Sequence, residues 1–319
     1  MTQRLPFVMA FYRALGTGMV ISADSPIDDK VRPAMESLIE DYEHVLSRFR
    51  NDSLIAAIGK AEHGGSFDFP DWCAPLFDLY DALFSATSGA IDPCVGEDLI
   101  RLGYDASLSF TVTQDAPEHL GALRGRAVWG RDVTRHGTTL VTHEPVQLDF
   151  GACGKGYLVD LLGRMLQSSQ FVIDAGGDLL IHAEQPISVA LEDPEDQSHA
   201  IGIAHIANGA LCASAPSRRH WNVAVNERTQ IAIHHLLNAI DGLPSQQTEA
   251  SWAYVPANAT LNLARDYPTA VADGLATALF VSDVAQLQRT FDFTYATLDE
   301  SRQIAVSRNF PADLFLRSA

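Results

Sequence analysis

Hydrophobic positions recur every three to four residues in some stretches of the chain and every second residue in others, so helices and strands are both expected. Val31, Met35, Leu38, Ile39, Tyr42, Val45 and Leu46 form one stripe, which predicts a helix over residues 28–47 entered through Ser25-Pro26. Trp72, Leu76, Leu79, Tyr80, Leu83 and Phe84 predict a second over 71–88, stopped by Gly89. His63-Gly64-Gly65-Ser66 reads as a turn between them. Residues 12–22 read as a first strand, broken by Gly16 and Gly18 where a backbone can approach a ligand. Short strands around 126–149 turn at Arg135-His136-Gly137-Thr138, and residues 187–233 read as an antiparallel meander turning at Asn226-Glu227-Arg228. Residues 257–268 look like an insertion, and 293–298 with 303–306 read as a closing hairpin. No linker or repeat interrupts the chain, so residues 1–319 are expected to form one unit with two lobes.

The stretch over residues 147–168 carries the first candidate chemistry. Val146 and Leu148 approach as a strand, Asp149-Phe150-Gly151-Ala152-Cys153-Gly154-Lys155-Gly156-Tyr157 forms a glycine-rich turn, and Leu158, Val159, Leu161, Leu162, Met165 and Leu166 continue at helical spacing. A helix N-terminus with Lys155 beside it suits an anion such as phosphate. The same residues also suit a tight connection without a ligand. Two nucleotide motifs are excluded: a P-loop requires glycine at 149 and Ser or Thr at 156, and the glycine order is not that of a dinucleotide fingerprint.

Residues 269–280 read as a helix after Pro268, with Asp273 and Thr277 on one face. A carboxylate and a hydroxyl one turn apart form a hard-oxygen pair of the kind Mg²⁺ takes from protein, or else a cap and a back-bonded threonine. Gly176-Gly177, within a strand pair at 171–182, marks either a β-bulge or a place where something flat must pass.

Several blocks, in order along the chain, resemble the ApbE family of FAD:protein FMN transferases. They are Ala14-Leu15-Gly16-Thr17, Leu46-Ser47-Arg48-Phe49-Arg50-Asn51-Asp52-Ser53, Gly89-Ala90-Ile91-Asp92-Pro93-Cys94-Val95-Gly96, the run from Asp149 to Gly156, His235-Leu236-Leu237-Asn238 with Gly242 and Pro244, and the run from Ala272 to Val281. The resemblance implies an α/β (α+β) fold of twisted, largely antiparallel sheets flanked by helices, with a tunnelling-fold-like core. It implies FAD as substrate, Mg²⁺ held by Asp273, Thr277 and the Ala152 carbonyl, and a flavin-acceptor protein with a Thr or Ser site. Lys155 and His235 are the implied catalytic residues, His235 as base, although a lone histidine after a strand also suits a structural role. The implied FAD-binding set is Leu15, Phe49, Ala90, Ile91, Asp92, Asp149, Lys155, Gly176, Gly177, Ser214, His235 and Leu236, with Phe49 stacking on the flavin and Asp149 on ribityl or adenosine hydroxyls. An FAD pyrophosphatase and a non-catalytic FAD-binding protein are the alternatives.

The chain departs from the family pattern at Leu15 for methionine, Phe49 for tyrosine, Ala215 for glycine, Ser217 for tyrosine and Asn238-Ala239 for Asp-Pro. Its 40 acidic against 22 basic residues, a formal charge of −18, exclude a nucleic-acid or anionic-membrane surface as an expectation, and require local neutralisation of any bound diphosphate. Cys73, Cys94, Cys153 and Cys212 are scattered and point to a reducing compartment, with Cys153 as a candidate nucleophile at a helix start. No run reaches the ~20 apolar residues of a membrane span, and the N-terminal pattern is that of neither a signal peptide nor a lipobox, so the cytoplasm is expected.

Overall fold

The computed structural model describes residues 5–226 and 229–315. It opens on a hairpin, β1 (Phe7–Ala14) and β2 (Thr17–Ala23), where the alternation predicts one broken strand. Leu15 and Gly16, with φ of 52° and 75°, make the two-residue turn, a left-handed pair that matches the twist of the flanking strands. Helix α1 (Val31–Leu46) buries its Met35, Ile39, Tyr42, Val45 and Leu46 stripe as expected, and α2 (Leu54–Lys60) follows, its start capped by the Ser53 hydroxyl accepting from Ala56 N–H at 3.1 Å.

A small sheet of β3 (Gly65–Asp68), β4 (Val133–His136) and β5 (Thr139–Thr142) brackets α3 (Ala74–Ala86), α4 (Gly96–Arg101) and α5 (Ala116–His119) in the chain. The β4–β5 turn falls at the expected Gly137-Thr138. After α6 (Gly154–Gly163) come β6 (Phe171–Asp174), the long strands β7 (Asp178–Glu192) and β8 (Ala200–Ser214), the pair β9 (His220–Asn226) and β10 (Thr229–His234), and the short pair β11 (Leu237–Asn238) and β12 (Leu243–Pro244). Glu227 and Arg228 of the expected β9–β10 turn lie outside the described residues. The chain continues through β13 (Thr248–Pro256), α7 (Asn262–Asp266), α8 (Pro268–Ala278), α9 (Val284–Leu287), β14 (Thr294–Asp299), β15 (Ile304–Val306) and β16 (Ala312–Leu314). The expected insertion holds α7, and the closing hairpin is β14–β15.

Nine strands form one sheet in the order β1-β2-β6-β7-β8-β13-β14-β15, with β16 added beside β8, and every pairing is antiparallel. Both faces are apolar because successive residues point to opposite sides. On β7, Leu180 packs into the cluster shared with α1, α3, α6 and α8, while Ile181 and Ala183 join Leu191, Ile201, Trp252 and Leu298 on the other face. A third cluster, with Leu99, Leu102, Leu120, Trp221 and Leu237, joins α4 to β9 and β11. Helices therefore flank antiparallel sheet, in agreement with the expected fold class.

Helices α6 and α8 pack against each other over β7, β8 and β13. Asp160, near the end of α6 and 3% exposed, accepts from Thr269 N–H at 3.1 Å and Ala270 N–H at 2.8 Å, the first free donors of α8. Burial pushes its carboxyl up to about 7, against the pull of those two donors. Asp160→Ala leaves both donors buried without a partner, and at about 1–3 kcal/mol each the unfolding free energy should fall by ~2 kcal/mol or more. Urea denaturation reads this directly; an unchanged midpoint would show that α8 is not held in this way.

Candidate functional site

The turn from Asp149 into α6 and the middle of α8 meet in one corner. Asp273 Oδ2 accepts from Gly156 N–H at 3.0 Å, so the N-terminus of α6 receives a carboxylate of the protein itself where a free anion site was expected. Gly156 is required by this contact, because a side chain there would collide with the Thr269 carbonyl of α8. That collision is also why the Ser or Thr of a P-loop cannot stand at this position. Burial, then the neighbouring Asp178, push the Asp273 carboxyl up to about 7, with Lys155 and the Gly156 N–H pulling the other way.

Thr277 lies one turn further along α8, its Oγ1 3.4 Å from the Ala152 carbonyl oxygen. Asp273, Thr277 and Ala152 thus converge as one carboxylate, one hydroxyl and one carbonyl, all hard oxygens. A set this small suits Mg²⁺, which keeps much of its shell for water and phosphate. Among the described residues no group of three or more His, Cys, Asp or Glu side chains forms a metal site by itself.

Lys155 contacts Asp178 and stands 3.6 Å from Asp273 Oδ1. Burial disfavours the ammonium, but Asp178 and then Asp273 outweigh it and hold the group above its ordinary range. Asp178 starts β7 directly after Gly176 and Gly177, whose φ values of 68° and 105° make them the turn of the β6–β7 hairpin and not a bulge within a strand. A side chain on Gly176 would meet Thr17 Oγ1 at 2.6 Å, which sets the β1–β2 turn, with Leu15, beside this one. Leu15 N–H is held by Glu43 Oε1 at 2.9 Å. Ser214, at the end of β8, lines a small cavity together with Gly176 and Gly177.

A second group extends from Asp149. Its carboxylate pairs with Arg48 and accepts from Gly151 N–H at 2.6 Å. The Arg48 guanidinium lies 4.2 Å from the centre of the Phe49 ring and 4.6 Å from that of Tyr104. Tyr104 meets Phe49 edge-on at 5.4 Å and His235 at 6.4 Å between centres, so one aromatic patch leads from Phe49 to His235. Phe49 is 41% exposed. His235 Nδ1 lies 3.2 Å from the Arg219 carbonyl, which can only accept; the proton therefore sits on Nδ1 and Nε2 is left as an acceptor. Burial pushes the imidazole down to about 4, against the pull of that carbonyl.

The remaining expected residues lie deeper in the structure. Ala90, Ile91, Asp92 and Leu236 are all 5% exposed or less. Asp92 accepts from Cys94 N–H at 2.8 Å and faces Arg126 at 3.5 Å, so its carboxylate is engaged inside the protein. Arg126 also pairs with Asp98 at 2.8 Å and donates to the Ala239 carbonyl at 2.7 Å, while Ala239 N–H donates to the Ala90 carbonyl at 3.0 Å. This buried lattice ties the segment after His235 to the Ala90–Asp92 segment. Cys153 is fully buried, and burial raises its thiol well above the ordinary range, which removes it as a nucleophile. At two sequence departures the backbone is accommodated locally: Ala215 has an extended backbone that needs no glycine, and Asn238 Oδ1 accepts from Ile240 N–H at 3.0 Å.

The corner brings an ammonium, two carboxylates, a hydroxyl and a carbonyl together on an antiparallel α/β scaffold. The chain belongs to the ApbE family, whose model matches residues 15–297. It is 26% identical over 286 residues to an FAD:protein FMN transferase of Treponema pallidum (strain Nichols), covering 79% of this chain and 72% of that protein. The ApbE protein of Thermotoga maritima superposes with a TM-score of 0.78 at 20% identity, over 96% of this chain and 99% of the other. The flavin transferase ApbE of Vibrio cholerae gives 0.74 at 17% identity, over 95% and 97%. No helix among the described residues is long and apolar enough to cross a membrane.

Arg48, Tyr104, Asp160 and Asp178 escape sequence reasoning. Only Asp178 carries a local signal, an acidic residue directly after two glycines; the others acquire partners only through the fold. Gly156→Ala, an overpacking change costing about 1–3 kcal/mol, should lower the melting temperature and weaken binding of a divalent cation together. Wild-type values for both would mean that the α6–α8 approach is not what places Asp273.

Proposed function

We propose that the chain is an FAD:protein FMN transferase using Mg²⁺, which moves FMN from FAD to a Thr or Ser hydroxyl of an acceptor protein and releases AMP. The observation that carries this reading is the meeting of Lys155 with Asp273, which brings an ammonium and hard-oxygen donors, the groups that suit a diphosphate, into one corner. Membership in the ApbE family and the activity named for the Treponema pallidum relative support it.

FAD joins FMN to AMP through an anhydride. The acceptor oxygen bonds to the FMN phosphorus while the bond from that phosphorus to the AMP oxygen breaks, and AMP leaves with the electron pair. Positioning and charge neutralisation carry most of the rate in such transfers. A divalent cation held by Asp273, Thr277 and the Ala152 carbonyl would neutralise the diphosphate when bound. Lys155 contributes fixed positive charge. His235 takes the acceptor proton on Nε2, its imidazole being neutral at physiological pH. Phe49 stacks on the flavin, Leu15, Gly176, Gly177 and Ser214 line its path, and Asp149 orders the turn through Arg48.

Incubation with FAD, Mg²⁺ and a Thr-containing acceptor peptide should give AMP and a peptide whose flavin fluorescence survives denaturation. AMP with free FMN in the presence of acceptor would make the chain a pyrophosphatase, and neither product would leave a binding protein. Replacing His235 by Gln should lower kcat about 10²- to 10⁴-fold. Because burial disfavours the charged imidazole, the base form persists below the ordinary 6.5, and kcat/KM should fall only as pH nears about 4. A loss centred at 6.5 would contradict this environment for the base.

A further inference from the structure

Asp178 is 1% exposed, meets the Lys155 ammonium through Oδ2, and buries Oδ1 without a hydrogen-bond partner. A buried carboxylate with an idle oxygen is costly, so its presence calls for a physical reason. The reason lies in a competition for Lys155. The ammonium stands between two carboxylates, in contact with Asp178 and 3.6 Å from Asp273 Oδ1. Asp273 Oδ2 is already held by Gly156 N–H, which leaves Oδ1 as the anionic oxygen that a divalent cation would take. An ammonium closed on Oδ1 would occupy that place as a monovalent substitute.

We infer that Asp178 is a positioning residue that parks the Lys155 ammonium and so keeps Asp273 Oδ1 open for a divalent cation. The inference rests on the reading that Asp273, Thr277 and Ala152 hold such a cation. The geometry favours the parked state. Asp178 follows the tight Gly176-Gly177 turn and is paired in register with Cys212 of β8, so its backbone is fixed while the lysine chain is long and adjustable. The ammonium is thereby close enough to face a bound diphosphate, yet engaged by a carboxylate other than the one the cation needs.

Plain electrostatics predicts that removing any nearby negative charge weakens a cation. Parking predicts in addition that the effect of Asp178 runs through Lys155, and a double-mutant cycle isolates that coupling. The probe is Mn²⁺ alone, with free ion counted by electron paramagnetic resonance against the whole chain, and neither flavin nor acceptor present. Asp178→Asn should weaken Mn²⁺ about ten- to a hundredfold, as loss of a group that orients a metal site does. In a Lys155→Gln background the same change should cost about threefold at most, a coupling of the size found between contacting groups. Equal losses in both backgrounds, or no loss in either, would overturn the inference while leaving the cation site intact. Absence of Mn²⁺ binding by the unaltered protein would overturn the cation reading itself, and this inference with it. Thermal melts check folding, and Asp178→Ser, which removes the carboxylate without adding volume, takes the place of Asp178→Asn if the latter does not fold.

Discussion

The structure depends on a reciprocal contact between two helices that are distant in the chain. Each sends a buried carboxylate to the first turn of the other: Asp160 of α6 to Thr269 and Ala270, and Asp273 of α8 to Gly156. The first turn of a helix offers N–H groups with no partner inside the helix and the positive end of its dipole. Both carboxylates thus sit where the backbone itself balances their charge, and Gly156 lets the two backbones approach closely enough for the exchange. Burial still raises both groups to about 7, so the exchange is held against a real desolvation cost.

The same contact makes chemistry available. With α8 fixed on α6, Thr277 comes to the Ala152 carbonyl and Lys155 is caught between Asp178 and Asp273. Two carboxylates and one ammonium leave a formal excess of one negative charge in a largely buried corner. The aromatic patch of Phe49, Tyr104 and His235 adjoins this corner through Arg48 and Asp149.

Much of this is legible in the sequence. The stripe from Val31 to Leu46 is a helix because burial at a period near 3.6 leaves few alternatives, and Asp273 and Thr277 share a helix face for the same reason. The β1–β2 hairpin was not legible, since apolar alternation runs through Leu15 and Gly16 without a polar break. Glycine-rich order before α6 announces a close approach but cannot say whether a ligand or another helix makes it; here α8 does. Tyr104 and Arg48 gain their roles only when distant segments meet, and no spacing rule encodes that. Asp92 carries the opposite lesson: a motif aspartate can serve the scaffold, here by pinning Arg126.

The central claim is that Asp273 and Lys155 grip a flavin dinucleotide through a cation. Calorimetric titration of FAD into the protein, with Mg²⁺ and again with excess EDTA, tests it most directly. Binding should tighten about tenfold or more with Mg²⁺, a coupling of the ordinary size between two ligands, and Asp273→Asn should erase the difference. Equal affinity in the two buffers, or a difference that survives Asp273→Asn, would contradict the account.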